Sequence, residues 1–333
     1  MLISWNSTNQ CNMFCDHCYR DAGDKISEEL STAEARKMIR EIERAGFKIM
    51  IFSGGEPVMR SDIYDLGRYA TELGLRAVLG TNGTLITREV AGRLKESGFM
   101  AAGVSLDSLN PEKNNAFRKL DDAFNLTVQG MKNLREAGLP FQIHTTVMDW
   151  NVKELEAITD FAVEIGAMAH HIFFLVPTGR GVNIEEEALR VVEYEKTISR
   201  LLEKQREVDI EIKPTCAPQF MRTADKKGIP MRFSRGCLAG ISYCIISPRG
   251  DVQPCAYLNI PLGNVCEKPF DEIWRESRVL QELRTMEYKG KCGVCDYKTK
   301  CGGCRARAYY YSNGDYMAED SWCLYQPQGV GKR

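Results

Sequence analysis

The chain has 333 residues, of which 44% are hydrophobic and 27% charged, with a formal net charge of -1. This is the balance of a folded globular protein; it excludes a disordered chain, and without a basic tract there is no electrostatic hold on nucleic acid. No apolar run approaches the roughly 20 residues of a membrane span, and the start Met1-Leu2-Ile3-Ser4 carries no charged segment ahead of an apolar one, so no membrane partner and no secretory leader are expected, and a cytoplasmic protein is.

In chain order, short apolar runs predict strands over 2–7, 48–53, 76–81, 100–105, 141–147 and 169–175. Between them, helical periodicity predicts helices over 32–45, 61–73, 88–97, 122–137 and 152–165, and a last long one over 185–205. Gly46, Gly74, Gly98, Gly138 and Gly166 stand where helix-ending glycines belong. Thr32 with Glu34 and Arg36 opens the first helix, and Asn151 suits a cap for the fifth. Regular β-α alternation implies parallel strands with right-handed crossovers. Six units are too few for a closed eight-stranded barrel, so residues 1–207 are expected to form an α/β fold, a partial (β/α)6 barrel.

From 208 the periodicity weakens. Cysteine, the outlier of the composition at 13 residues, is concentrated there, with ten between Cys216 and Cys323. An odd count and close CxxC spacing point to metal binding rather than disulfides. Residues 208–333 therefore read as a cysteine-rich domain held together by metal sites where its core is thin. The tail 326–333 is expected to be loose.

Cys11-x3-Cys15-x2-Cys18 follows the first strand, on the face where barrel sites gather. Three thiolates can hold three corners of a cubane and leave one iron open; a three-thiolate zinc site with His17 is the alternative. Phe52-Ser53-Gly54-Gly55-Glu56-Pro57 ends the second strand, where two glycines permit close backbone approach and a carboxylate suits an ammonium.

Cx3Cx2C with GGEP one β-α unit later resembles the radical S-adenosylmethionine (SAM) superfamily. The resemblance implies a SAM-binding 4Fe-4S cluster on Cys11, Cys15 and Cys18. It places the methionine end of SAM at Gly54, Gly55, Glu56 and Pro57. Asn82, Ser105 and Asp107 at later strand ends become candidates for its polar groups, Arg118 for its carboxylate, and Val147 and Leu175 for its adenine. It further implies reductive cleavage of SAM to a 5′-deoxyadenosyl radical, with electrons from a flavodoxin- or ferredoxin-like donor.

Cys237-x6-Cys244-x5-Gly250-x4-Cys255, then Cys292-x2-Cys295-x5-Cys301-x2-Cys304, then Cys323 resembles the SPASM extension of that superfamily. The resemblance implies one or two auxiliary 4Fe-4S clusters, one on Cys237, Cys244, Cys255 and Cys304, the other on Cys292, Cys295, Cys301 and Cys323. The last gap is one residue shorter than the pattern, which falls on Cys304, and Cys216 and Cys266 have no place in it. A zinc ribbon is the alternative.

Trp5-Asn6-Ser7-Thr8, His17-Cys18-Tyr19-Arg20, Pro177-Thr178-Gly179-Arg180-Gly181 and Lys213-Pro214-Thr215-Cys216-Ala217-Pro218-Gln219 resemble the NirJ-like and heme-synthase (iron-coproporphyrin decarboxylase) group. That resemblance implies a tetrapyrrole substrate and oxidative removal of its carboxylate side chains, as in heme or heme d1 biosynthesis. Guanidinium forks suit propionates, which makes Arg20 and Arg180 the substrate-side candidates, with Arg222, Arg232 and Arg235 in further loops. The alternative is a maturase of ribosomal peptides or proteins; these often carry an N-terminal peptide-binding module, and the first strand here begins almost at Met1, which favours a small molecule.

Overall fold

The structure is a computed structural model and describes residues 1–327; positions 328–333, most of the tail expected to be loose, lie outside the described residues. Ten strands form one sheet: β1 Leu2–Asn6, β2 Ile49–Ser53, β3 Arg76–Thr81, β4 Ala101–Ser105, β5 Phe141–Val147, β6 Ala169–Phe174, β7 Glu211–Thr215, β8 Tyr243–Ile246, β9 Asp251–Gln253 and β10 Gly263–Asn264. Their order is β10-β9-β8-β1-β2-β3-β4-β5-β6-β7, with every neighbouring pair from β8 through β7 parallel.

The six predicted strands are all present, and two more extend the parallel run. β7 reads as weak periodicity because Pro214 interrupts it, yet Pro is tolerated on an edge strand, and β7 pairs only with β6. β8 lies against the outer edge of β1, with Ile3 opposite Cys244. The sheet thus runs across position 208, and the cysteine-rich region builds on the same sheet as the β-α units.

The helices are α1 Thr32–Arg44, α2 Ile63–Glu72, α3 Arg88–Glu96, α4 Pro111–Arg118, α5 Ala123–Glu136, α6 Leu155–Ile165, α7 Val191–Lys204, α8 Phe220–Lys227, α9 Phe270–Glu276, α10 Arg278–Thr285, α11 Gly290–Gly293 and α12 Arg305–Tyr311. Ser31, one residue before the expected Thr32, caps α1: its hydroxyl accepts from the Glu34 amide while the Glu34 carboxylate accepts from the Ser31 amide. The helix predicted over 185–205 begins only at Val191; a 3-10 segment, Gly179–Glu187, and an extended link precede it. Glu185 is drawn aside because it accepts from the Tyr310 and Tyr311 hydroxyls at 2.7 and 2.8 Å.

One face of the sheet buries Ile3, Met50, Phe52, Leu79 and Val104 against Ile39, Leu66, Leu94 and Met131 of the helices, each worth about 1.5–3 kcal/mol of burial. The other face surrounds a lumen. A side chain on Gly80 would meet Ser53, and one on Gly103 would meet the His144 ring. No helix among the described residues is long and apolar enough to cross a membrane.

Candidate active site

Cys11, Cys15 and Cys18 lie in the loop after β1, above the lumen. The loop is pinned by the Cys11 amide on Gly23, the Asp16 amide on Phe117 and the Arg180 amide on Cys18. Cys11 feels the charges of both other thiols, and burial pushes it up to about 12. Buried, mutually repelling thiols release their protons when a cation binds them, which is the form a cluster requires. His17 does not join them: its ring stacks on Phe117 at 4.3 Å, and burial lowers it to about 3.

In the GGEP loop the Glu56 carboxylate is fully buried and accepts from the Thr81 hydroxyl and the Asn82 amide, both at 2.8 Å, so its side chain clamps the end of β3. Burial raises it to about 7. The glycines, too, are required by the protein. A Cβ on Gly54, at φ +144, would lie 2.5 Å from the Thr8 carbonyl, and one on Gly55 would lie 2.3 Å from that of Gln10. Gly55 and Glu56 donate to those same carbonyls at 2.8 Å, tying this loop to the chain that enters the cysteine loop. Asn82 adds a third tie, its amide nitrogen 2.8 Å from Asn12 Oδ1.

Asp107 is likewise committed to protein. It is fully buried, pairs with Arg118 at 2.6 Å and accepts from the Thr146 amide at 2.7 Å. Arg118 in turn places a nitrogen 3.9 Å from Cys15 Sγ. Asn151, expected to cap a helix, instead donates to the carbonyls of Asp107 and Thr146 and holds this turn. Ser105 is half-buried at the end of β4, opposite His144; Val147 and Leu175 are buried at the ends of β5 and β6.

The lumen also holds a polar group that sequence reasoning missed. His144 and His171 stack at 5.5 Å, His171 lies 3.2 Å from Glu211, and Lys213 Nζ sits 4.0 Å over the Phe233 ring. Burial holds both imidazoles and the ammonium below their ordinary ranges. The readable signal was alternation: His144, His171 and Lys213 occupy inward positions of three adjacent strands.

The arginines divide. Arg20 is half-buried, and its Nε has no hydrogen-bond partner among the described residues. Arg180 is consumed by the cysteine loop, donating to the carbonyls of Cys15 and Ala22 at 2.9 Å and pairing with Asp21 at 2.7 Å, so it braces the loop and does not face the lumen. Arg222 pairs with Glu195, Arg235 is buried on the Cys237 carbonyl, and Arg232 is exposed.

The remaining cysteines form two groups. Cys292, Cys295, Cys301 and Cys323 line one cavity, together with Arg222 and Lys291. Backbone amides of Asp320, Tyr297 and Gly303 donate to Sγ of Cys292, Cys295 and Cys301 at 3.4–3.5 Å. Cys237, Cys255 and Cys304 come together, but Cys244 does not join them: it is fully buried in the apolar core with Leu280 and Leu283. Cys216 lies within the electrostatic reach of all three. Asp320 Oδ2 links the groups, accepting from the Cys304 amide at 2.8 Å, Gln219 at 2.8 Å and Arg307 at 3.2 Å. Cys266 is exposed beside Glu34. No three His, Cys, Asp or Glu side chains among the described residues close to the span of a single metal ion; the thiols are grouped more loosely.

A parallel β-α sheet with a Cx3Cx2C loop over its lumen and thiol groups beyond it is the architecture of an iron–sulfur enzyme that uses SAM: the chain belongs to the radical SAM superfamily and carries its SPASM extension. Residues 5–162 match the radical SAM superfamily, and residues 237–305 match the SPASM iron-sulfur cluster-binding domain. Over 98% of its length the chain is 43% identical to the AdoMet-dependent heme synthase of Methanosarcina barkeri, 97% of which is covered. It is 32% identical over 99% of its length to the Fe-coproporphyrin III synthase of the same organism, covering 89% of that protein. Among solved structures it is similar to Streptococcus suis SuiB bound to the precursor peptide SuiA, with a TM-score of 0.78 and 19% identity over 97% of this chain and 76% of the other, a likeness of fold. The chain is thus an enzyme whose cofactors are SAM and iron–sulfur clusters.

Proposed function

We propose that this enzyme converts propionate side chains of a heme-related tetrapyrrole to vinyl groups by oxidative decarboxylation. The observation that carries the reading is the near full-length likeness, at 43% identity, to a protein named AdoMet-dependent heme synthase. The donor sets suit the cofactors: all-thiol groups, partly buried, with amide N–H groups directed at sulfur. Residues 1–207 act as the SAM core and 208–333 as the auxiliary cluster region.

Cys11, Cys15 and Cys18 would hold the SAM-binding cluster, and Cys292, Cys295, Cys301 and Cys323 an auxiliary one. Bound SAM and its cluster supply a 5′-deoxyadenosyl radical able to take a hydrogen atom. Gly54, Gly55 and Pro57 present backbone to the methionine end; Glu56 shapes that loop from behind. Asn82 and Ser105 offer polar contacts, Val147 and Leu175 an apolar wall. Arg118, oriented by Asp107, offers its guanidinium to a carboxylate. On the substrate side, Arg20, Lys213 and the neutral imidazole of His144 offer donors to propionates at the lumen. Each propionate loses one hydrogen atom from its β-carbon, then CO2 and one electron, and becomes a vinyl group. The C-terminal cysteine groups would hold an acceptor for that electron. A flavodoxin- or ferredoxin-like protein in the cytoplasm supplies the reducing electron.

The test is mass spectrometry of anaerobic incubations with SAM, a reductant and either iron-coproporphyrin III or didecarboxysiroheme. Loss of carboxyl mass from one ring, with matching 5′-deoxyadenosine, is expected. Two unchanged rings beside a modified ribosomal peptide would make the enzyme a peptide maturase.

A further inference from the structure

We propose that Cys216, and not Cys244, completes the ligand set of the first auxiliary cluster with Cys237, Cys255 and Cys304. The assignment rests on the SPASM match and not on the tetrapyrrole reading, so the two fail separately.

Cys244 is excluded by strand geometry. It lies within β8, opposite Ile3 of β1, and side chains alternate along a strand. Its neighbour Tyr243 points to the lumen side, its hydroxyl 3.1 Å from Ser4 Oγ. Cys244 therefore points the other way, into the core, and Arg284 is the charged group it feels there. Bringing its sulfur round would need a one-residue slip of β8, which would turn every side chain of that strand to the wrong face.

Cys216 has the opposite setting. It follows β7 directly and adopts φ +58, a left-handed conformation that a non-glycine residue holds only where its surroundings impose it. Its carbonyl accepts from Arg307 Nη2 at 2.7 Å. Arg307 lies in the first turn of α12, the helix that Cys304 caps. The two cysteines are thus joined through one rigid, fully buried guanidinium. On the other side, a Cβ on Gly236 would lie 2.7 Å from Pro218, so the chain entering Cys237 runs flush against the chain leaving Cys216. Cys255 closes the group, its sulfur taking the Tyr257 amide at 3.3 Å. Cys304 is buried and Cys216, Cys237 and Cys255 are partly buried; the four come from four separate segments, Cys216 within electrostatic reach of the other three, and sulfur-only sets hold iron–sulfur clusters.

The experiment compares Cys216→Ala, Cys216→Ser and Cys244→Ala in a Cys11/Cys15/Cys18→Ala background, which leaves only auxiliary iron. Iron, sulfide, Mössbauer and reduced-state EPR spectra are recorded after anaerobic reconstitution. Cys216→Ala is expected to lose about four iron atoms per chain or to show a three-iron EPR signal. Cys244→Ala is expected to keep both its iron and its spectrum. Cys216→Ser retains volume and offers an oxygen ligand, so a folded variant with an altered EPR spectrum supports the assignment even if Cys216→Ala is insoluble. Unchanged iron and spectrum in the Cys216 variants, with loss in Cys244→Ala, would overturn it.

Discussion

Arg118 and Asp107 form an ion pair at 2.6 Å in the interior, and the guanidinium also reaches to 3.9 Å from Cys15 Sγ. A buried pair of this kind adds little net stability, because desolvation offsets attraction; its value here is orientation. One carboxylate fixes the direction of the cation that stands beside the Cys15 loop.

Asp107→Asn keeps the shape but removes the charge that aims Arg118. SAM affinity, measured anaerobically by equilibrium dialysis, is expected to fall about tenfold, or about 1.4 kcal/mol. Unchanged affinity would mean that Arg118 needs no restraint from Asp107.

Gly55→Ala drives a methyl group to 2.3 Å from the Gln10 carbonyl, one residue before Cys11. Backbone cannot yield there as a flexible side chain would. The variant is expected to lose the SAM-binding cluster, about four iron atoms per chain, and to keep its auxiliary iron. Full iron retention would show that the two loops can separate without cost to the cluster.

All four histidines of the chain are held below their ordinary range chiefly by desolvation, and of the four His170 is the one that is fully buried. His170, lowered to about 3, lies between the Thr159 and Thr145 hydroxyls at 2.8 and 2.9 Å, away from the cysteines. With a depressed pKa, the folded state binds fewer protons than the unfolded state below pH 6.5, so stability is present above that pH and lost as pH falls. Between pH 6.5 and 5.5, His170 alone should cost about 1 kcal/mol of stability. The thermal midpoint of His170→Gln should therefore drop less than that of the wild type over this interval; equal drops would refute the assignment.

Lys213 carries its ammonium over the Phe233 ring in the lumen, with no ion pair at that nitrogen among the described residues. Lys213→Met preserves the packing. It is expected to raise the KM for a propionate-bearing ring about tenfold while leaving SAM affinity unchanged. An unaltered KM would place the substrate carboxylates elsewhere.

Much of the fold was legible because its signals are local. Six strands and their helices follow from apolar periodicity, and a glycine such as Gly166, at φ +85, closes α6 where expected. α4 was not among the predicted helices, although Asn110 caps it and Pro111 occupies its first position, a pairing that marks a helix start. β7 and β8 were hidden because their meaning is tertiary: each is short, and only the free edges of the sheet make them strands. The site followed the same division. Cys11, Cys15 and Cys18 are close in sequence, so their spacing alone proposes them as a set. The SPASM resemblance also offered Cys244, but the pleat of β8 turns its side chain to the core, and Cys216, the ligand proposed in its stead, lies in a distant segment that no spacing connects. Glu56 and Asp107 were identified as important positions, yet their carboxylates serve neighbouring backbone and Arg118, a distinction that burial decides.

We propose that the hydrogen abstracted by the enzyme comes from a tetrapyrrole propionate. Iron-coproporphyrin III deuterated at the β-carbons of its propionates tests it directly, with mass spectrometry of both products after anaerobic turnover. Deuterium is expected in 5′-deoxyadenosine in step with conversion of propionate to vinyl. Formation of 5′-deoxyadenosine without deuterium, with the porphyrin carboxyl groups intact, would contradict it.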